Sequence, residues 1–300
     1  MNVDSFLSLF CPSFLSLHGL TRKRRRKPGL HRVCPDHLSE PTRPNEVWTF
    51  DFKGWFVLGD GTRCEPLTVC DRFARYIVGC KGQPNQQFKS TLGSCQKMMR
   101  HHGLPEIIRV DNGTPFASIA LGGLSQLSVW WMEQGIRVEF LHPGSPQENG
   151  SHERMHRDLK AEVATPASPN MQAQQKRFDR WRHEYNHDRP HEALDMQRPA
   201  EIYHPSSRRM GEQDKMRYPK GYQIKRVTGS GHISHRGAHF YLSEIFAGCR
   251  VGLLENPNGI TQLHYANLHL GNLEFDGKDS WRPKSLIIPA QQEPRASSPK

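Results

Sequence analysis

Nowhere in its 300 residues does the chain hold a run of about 18 uninterrupted apolar residues, the length a membrane-spanning helix needs. Paired cysteines are missing too. Cys11, Cys34, Cys64, Cys70, Cys80, Cys95 and Cys249 are scattered without a Cys-x-x-Cys pair, which argues against a disulfide frame and for reduced thiols in a cytoplasmic protein. His18, His31, Cys34 and His37 match no common zinc-finger spacing, so no zinc is assigned to them. The opening MNVDSFLSLFCPSFLSLHGL has no positive leading segment, and Ser and Pro interrupt its apolar run. It is not read as a signal peptide. Internal repeats are absent. Acidic residues are in short supply, 30 Asp and Glu against 41 Lys and Arg, which leaves a formal charge of +11.

That charge, with a pI near 9.5, points to a polyanionic partner, nucleic acid before an acidic membrane surface. The densest run is Arg22, Lys23, Arg24, Arg25, Arg26 and Lys27, within residues 1–44. We read it as an arm that lies along phosphates, each cation displacing a counterion.

From residue 45 the texture changes. VWTFDFKGWFVL, EPLTVCDRFA and RYIVGCKG read as three antiparallel strands joined by short turns. NQQFKSTLGSCQKMMRHHG reads as a helix ending on Gly103. EIIRV, LSVWWMEQG and RVEFL follow as strand, helix and strand. A helix over about 151–163 and another over 174–186 complete the order, the second presenting Phe178, Trp181 and Tyr185 as core. The expected fold class is α/β, a mixed sheet flanked by helices over residues 45–200. After a linker at 201–217, short alternating segments at 218–276 read as a small β-barrel, and 277–300 as a disordered tail.

Three acids stand out. Asp51 sits inside an aromatic strand, where a lone carboxylate is costly to bury unless paired or bound to metal; alternation could equally turn it to solvent. Asp111 ends the strand of EIIRVDNGTPF, where α/β sheets open toward ligands; ahead of Asn-Gly it is also a natural turn former. Glu153 opens the helix after the loop HPGSPQENG. Arg157 and Lys160 share its face, separate from an apolar stripe of Met155, Leu159 and Val163, as suits a helix along a phosphate backbone. A few carboxylates in a basic chain are what hard divalent cations and substrate phosphates require, and a pair of such ions can drive an in-line displacement at phosphorus.

The motifs NEVWTFDFKGWF, VDNGTPF, HPGSPQENGSHERMHRDLK and YNHDRPHEAL, in that order over residues 45–200, resemble the integrase-core transposases of bacterial insertion sequences, relatives of retroviral integrases. The resemblance implies a ribonuclease-H-like core with catalytic and metal-binding Asp51, Asp111 and Glu153. It also implies two magnesium ions, with manganese as an alternative. Glu148 competes for the third place, and Glu153 is preferred because it precedes the basic face of ERMHRDLK. Arg157 and Lys160 would touch DNA, and Arg189-Pro190-His191 would close the core structurally. Forty-one residues separate Asp111 from Glu153, more than in the retroviral members.

Residues 1–44 would be the remnant of a helix-turn-helix region in a truncated copy, with residues 1–14 unlike anything in the family. The 218–276 barrel would be an accessory DNA-binding domain. The expected function is DDE-type transposition, in which DNA is cleaved and its strands transferred. Its partners would be element ends and target DNA, and the protein would form a homo-oligomer on DNA in a bacterial cytoplasm. Two alternatives are a DNA-binding remnant that inhibits an intact transposase and a nuclease of the ribonuclease H type.

Overall fold

The computed structural model describes residues 37–142, 144–211, 218–275 and 285–289. The basic run Arg22–Lys27 and the opening segment lie outside the described residues.

The core sheet begins with β1 (Val47–Phe52), β2 (Phe56–Val57), β3 (Arg63–Asp71) and β4 (Ile77–Gln83). Helix α1 (Phe88–His102) leads to β5 (Ile107–Val110), and α2 (Gln126–Glu133) to β6 (Arg137–Phe140). β1 pairs antiparallel with β3, and β3 with β4, while β5 lies parallel to both β1 and β6. The order β4-β3-β1-β5-β6 is the expected mixed α/β sheet flanked by helices.

Because side chains alternate along a strand, one sheet face collects Trp48, Phe50, Leu67, Val69, Ile108, Val110, Val138 and Phe140, all buried. This face packs on α1 and α2. Phe50 and Trp131 meet at 5.1 Å between ring centroids, and Phe116 stacks on Trp131 at 6.1 Å. Each such side chain contributes about 1.5–3 kcal/mol by leaving water. α1 carries Arg100 in its last turn, where a cation suits the helix dipole. It stops at Gly103, whose φ of 78° favours glycine and where an added Cβ would lie 2.4 Å from the Ser206 carbonyl oxygen. α2 starts from Ser125, which forms a capping box with Ser128.

The opposite face receives α3 (Gly150–Leu159), its π-helical continuation Lys160–Ala164, and α4 (Met171–His187). Met155, Leu159 and Val163 are buried with Phe178, Trp181 and Tyr185 against Cys64, Cys70, Ile77 and Cys80, so both expected stripes are core. The five described cysteines are free and buried.

α4 also seals the β4 edge with side-chain hydrogen bonds. The Asn186 side chain accepts from Ile77 N at 2.8 Å and donates to Ile77 O at 3.0 Å. Gln175 accepts from Gly82 N at 3.0 Å and donates to Cys80 O at 2.9 Å, and Arg182 donates to Val78 O at 3.3 Å.

A short α5 (Pro199–Ile202) precedes the second all-β part: β7 (Gln223–Arg226), β8 (His232–His235), β9 (Ala238–Tyr241), β10 (Arg250–Glu255), β11 (Thr261–Tyr265), β12 (Leu268–Phe275) and β13 (Ser285–Pro289). Five of these form an antiparallel sheet, β13-β12-β11-β10-β7, and β8–β9 is a hairpin. The hairpin lies against β13 and β7, and Phe240, Phe246, Val251, Leu263 and Tyr265 are buried in this all-β part. One expectation is corrected here. The stretch from 277 is not all tail, because Ser285–Pro289 pairs with β12 from Gly271 to Phe275. Its SLII run supplies the partner that the β12 edge would otherwise lack.

Candidate active site

Asp51 is the fifth residue of β1, on the face that receives α3. β1 and β5 run parallel with Phe50 opposite Val110, so the next positions on the two strands are Asp51 and Asp111. Two carboxylates therefore leave adjacent strand ends side by side. Asp111 is exposed, and its Oδ1 also accepts from Gly113 N at 3.0 Å, so it makes the Asx-type turn as well as facing Asp51. The Asp51 carboxyl is lifted to about 7, first by burial and then by the negative charge of Asp111. The Phe52 N–H, the Asn149 amide and Lys53 oppose that rise without cancelling it.

α3 reaches the pair from the side. Asn149, just ahead of its first turn, donates from Nδ2 to Asp51 Oδ2 at 3.2 Å. His156 Nδ1 lies 3.8 Å from the same oxygen. Glu153 follows Asn149 by four residues and precedes His156 by three, which puts it on the helix face bracketed by those two contacts. Its side chain is exposed, as are Arg157 and Lys160 further along. Glu148, the competing acid, has its carboxylate taken up within its own loop. It accepts from His142 N at 2.9 Å and lies 2.7 Å from His142 Nδ1.

Beneath the carboxylates lies a layer that the sequence alone did not single out. His152 and His156 are buried, and Thr68 Oγ1 is 2.7 Å from Nε2 of each. Thr49 Oγ1 is 2.8 Å from His152 Nδ1. Burial pushes the imidazoles down to about 3 for His152 and about 2 for His156, so both are neutral at ordinary pH. Donor atoms of Asp51, His152 and His156 all lie within 4.8 Å of one another. The signal was present in HERMH, two histidines four apart on one helical face, with Asn149 three before the first.

This donor set fits a divalent cation. A half-buried carboxyl that burial and a second carboxylate keep from ionising is relieved by a positive charge placed between the two.

A sheet of this order with two acids at the ends of adjacent parallel strands defines a class, and comparison with known families agrees. A family model described as "Integrase core domain" matches residues 41–146, and a second with the same description matches residues 134–199. Between them they run from residue 41 to residue 199, more than half of the chain, which belongs to the integrase-core family.

Its relatives are proteins of bacterial insertion elements. The uncharacterized 31.7 kDa protein of insertion element IS407 from Burkholderia multivorans is 29% identical over 185 residues, 61% of this chain and 64% of that protein. The uncharacterized 39.2 kDa protein of IS476 from Xanthomonas euvesicatoria is 26% identical over 182 residues, 60% of this chain and 50% of that protein. The chain thus spans between half and just under two-thirds of these relatives' length.

Among solved structures, the HTLV-2 integrase catalytic core domain in complex with magnesium (trimeric form) is similar with a TM-score of 0.43 and 14% identity, over 55% of this chain and 100% of that one. A simian T-cell lymphotropic virus intasome in complex with PP2A regulatory subunit B56 gamma gives a TM-score of 0.46 and 17% identity, over 89% and 96%. No helix among the described residues is long and apolar enough to cross a membrane.

Proposed function

We propose that the chain is a transposase of the DDE type, which cuts DNA at the ends of its element and joins the freed strands to target DNA. The observation that carries this reading is Asp51 beside Asp111, with the Asp51 carboxyl raised to about 7 by burial and by its neighbour. Asp51, Asp111 and Glu153 are the residues that would hold divalent metal, magnesium or manganese. The metal would supply charge stabilisation at the attacked phosphorus and at the leaving oxygen.

In cleavage, water attacks a phosphodiester and the bond to the 3′ oxygen breaks, leaving a 3′-hydroxyl on the element end and a phosphate on the flank. In joining, that 3′ oxygen attacks a target phosphodiester, whose own 3′ oxygen leaves. Neither step needs a covalent protein intermediate, so the protein's task is to position substrates and to complement charge. Arg157 and Lys160, exposed on the helix that bears Glu153, would hold the phosphate backbone, as would the Arg22–Lys27 run. Acting on two element ends calls for more than one copy of the chain.

The test is a strand-transfer assay with purified protein, a divalent ion and a duplex oligonucleotide with a pre-nicked end. Asp111→Asn should abolish joined products and leave DNA retention intact. Loss of retention along with products would rule out a purely catalytic part for Asp111. Wild-type protein that binds the duplex and never joins it would leave only a DNA-binding chain.

A further inference from the structure

The three residues that converge on one ion-sized space are not equivalent, and their hydrogen bonds separate them. His152 has both ring nitrogens engaged by hydroxyls, Nδ1 by Thr49 at 2.8 Å and Nε2 by Thr68 at 2.7 Å. His156 has one engaged, Nε2 by Thr68 at 2.7 Å. Thr68 owns a single hydroxyl proton and donates it to the Asp51 carbonyl oxygen at 3.0 Å, an acceptor that has no proton to give. Both imidazoles must then donate to Thr68 Oγ1 from Nε2, filling its two acceptor sites.

That assignment leaves His156 Nδ1 with a bare lone pair. It faces Asp51 Oδ2 at 3.8 Å, on a residue only 6% exposed. Two electron-rich atoms that face each other across 3.8 Å repel unless something positive lies between them. A shared proton does not fit, because 3.8 Å is too long for a hydrogen bond. A cation does. Metal–nitrogen and metal–oxygen bonds are each about 2.1 Å, so two ligands of one ion stand at most about 4.2 Å apart.

We infer that His156 is a nitrogen ligand, through Nδ1, of the divalent ion held by Asp51, with Thr68 fixing its tautomer and ring orientation and His152 staying outside the coordination sphere. The inference rests on the metal-dependent reading above and goes beyond its three acids. Ligating histidines habitually donate their second nitrogen to a fixed acceptor, and the Thr68 hydroxyl is that acceptor here. An imidazole donor also changes which ions the site prefers. It favours manganese, cobalt and other borderline ions over magnesium more than an all-oxygen site does.

Pulsed electron paramagnetic resonance of Mn2+ added to the full chain reads this directly, because a bonded imidazole imposes nitrogen-14 modulation on the signal. We expect that modulation in the wild type. In His156→Asn it should be lost, with Mn2+ affinity down by about tenfold or more. Asp51→Asn separates the two levels of the argument. If it binds Mn2+ as tightly as the wild type, the metal-dependent reading itself fails. If it abolishes binding while wild-type Mn2+ shows no nitrogen coupling, or while the coupling persists unchanged in His156→Asn, only the ligation by His156 is overturned. The wild-type spectrum needs no variant, so a misfolded substitution does not rescue the idea.

Discussion

The two faces of the core sheet are built from the same strands, one residue out of step, and they are furnished in opposite ways. On one side Trp48, Phe50, Val69, Ile108 and Val110 make a continuous apolar layer under α1 and α2. On the other, the same strands present Thr49, Asp51, Thr68, Arg109 and Glu139, with an apolar patch only toward β4. Arg109 and Glu139 are almost fully buried there and pair at 3.0 Å, and Ser39 Oγ donates to Glu139 at 2.6 Å. Such a pair adds little net stability, since removing two charges from water offsets their attraction. The contrast teaches a division of labour: the apolar face holds the sheet together, and the polar face tolerates a costly arrangement of charges because the other face stabilises it.

The strongest way to break that contrast is to damage the apolar face. Phe50→Ala should destabilise the protein by about 3–5 kcal/mol in urea denaturation, through lost burial and the cavity left against Trp131. Asp51→Asn, one residue along, should not lower stability at neutral pH, whatever it does to activity.

The polar face should instead reveal itself through pH. The folded-state Asp51 carboxyl is raised from 3.8 to about 7, so the folded protein holds a proton that the unfolded chain releases. Its stabilising contribution is complete below pH 3.8 and is lost as pH rises through about 7. The difference is of the order of a few kcal/mol, since each tenfold gain in proton affinity on folding is worth about 1.4 kcal/mol. Magnesium at a hundred times its dissociation constant should return about 2.7 kcal/mol above neutral pH. Thermal unfolding across pH, with and without the ion and in Asp51→Asn, checks both statements.

A smaller effect is expected from Thr68→Val. It strands two imidazole N–H groups in a buried place, at about 1–3 kcal/mol, measurable by the same denaturation. Smallest of all, Arg157→Ala and Lys160→Ala should leave folding unchanged. Each should flatten the salt dependence of DNA binding by about one unit of slope, read by titrations at several salt concentrations. No change in slope would remove that helix face from the DNA path.

Much of this contrast was legible in the sequence. Alternation in VWTFDF announces an apolar face of Trp48 and Phe50 and an opposite position at Asp51, and EIIRVDNG announces a strand that ends on Asp111. The stripes on α3 and α4 follow from helical spacing alone. The layer under the carboxylates does not, because Thr49, Thr68, His152 and His156 meet only once α3 has docked across two strands that lie far from it in the chain. The burial of Arg109 escaped for a related reason. Its charge is accommodated by Glu139 on a neighbouring strand, and a pattern read along one strand cannot contain its neighbour. β13 was hidden by composition, since the few apolar residues of SLII become a strand through the edge that awaits them.

The seal that α4 lays over β4 has a consequence for how copies of this chain can meet. Backbone groups of Ile77, Val78, Cys80 and Gly82 are answered from within by asparagine, glutamine and arginine, so a foreign strand arriving at that margin would find its counterparts already spoken for. Growth of the sheet from one molecule into the next is foreclosed on that side. Contacts between protomers there must be made through the outer surface of the helix.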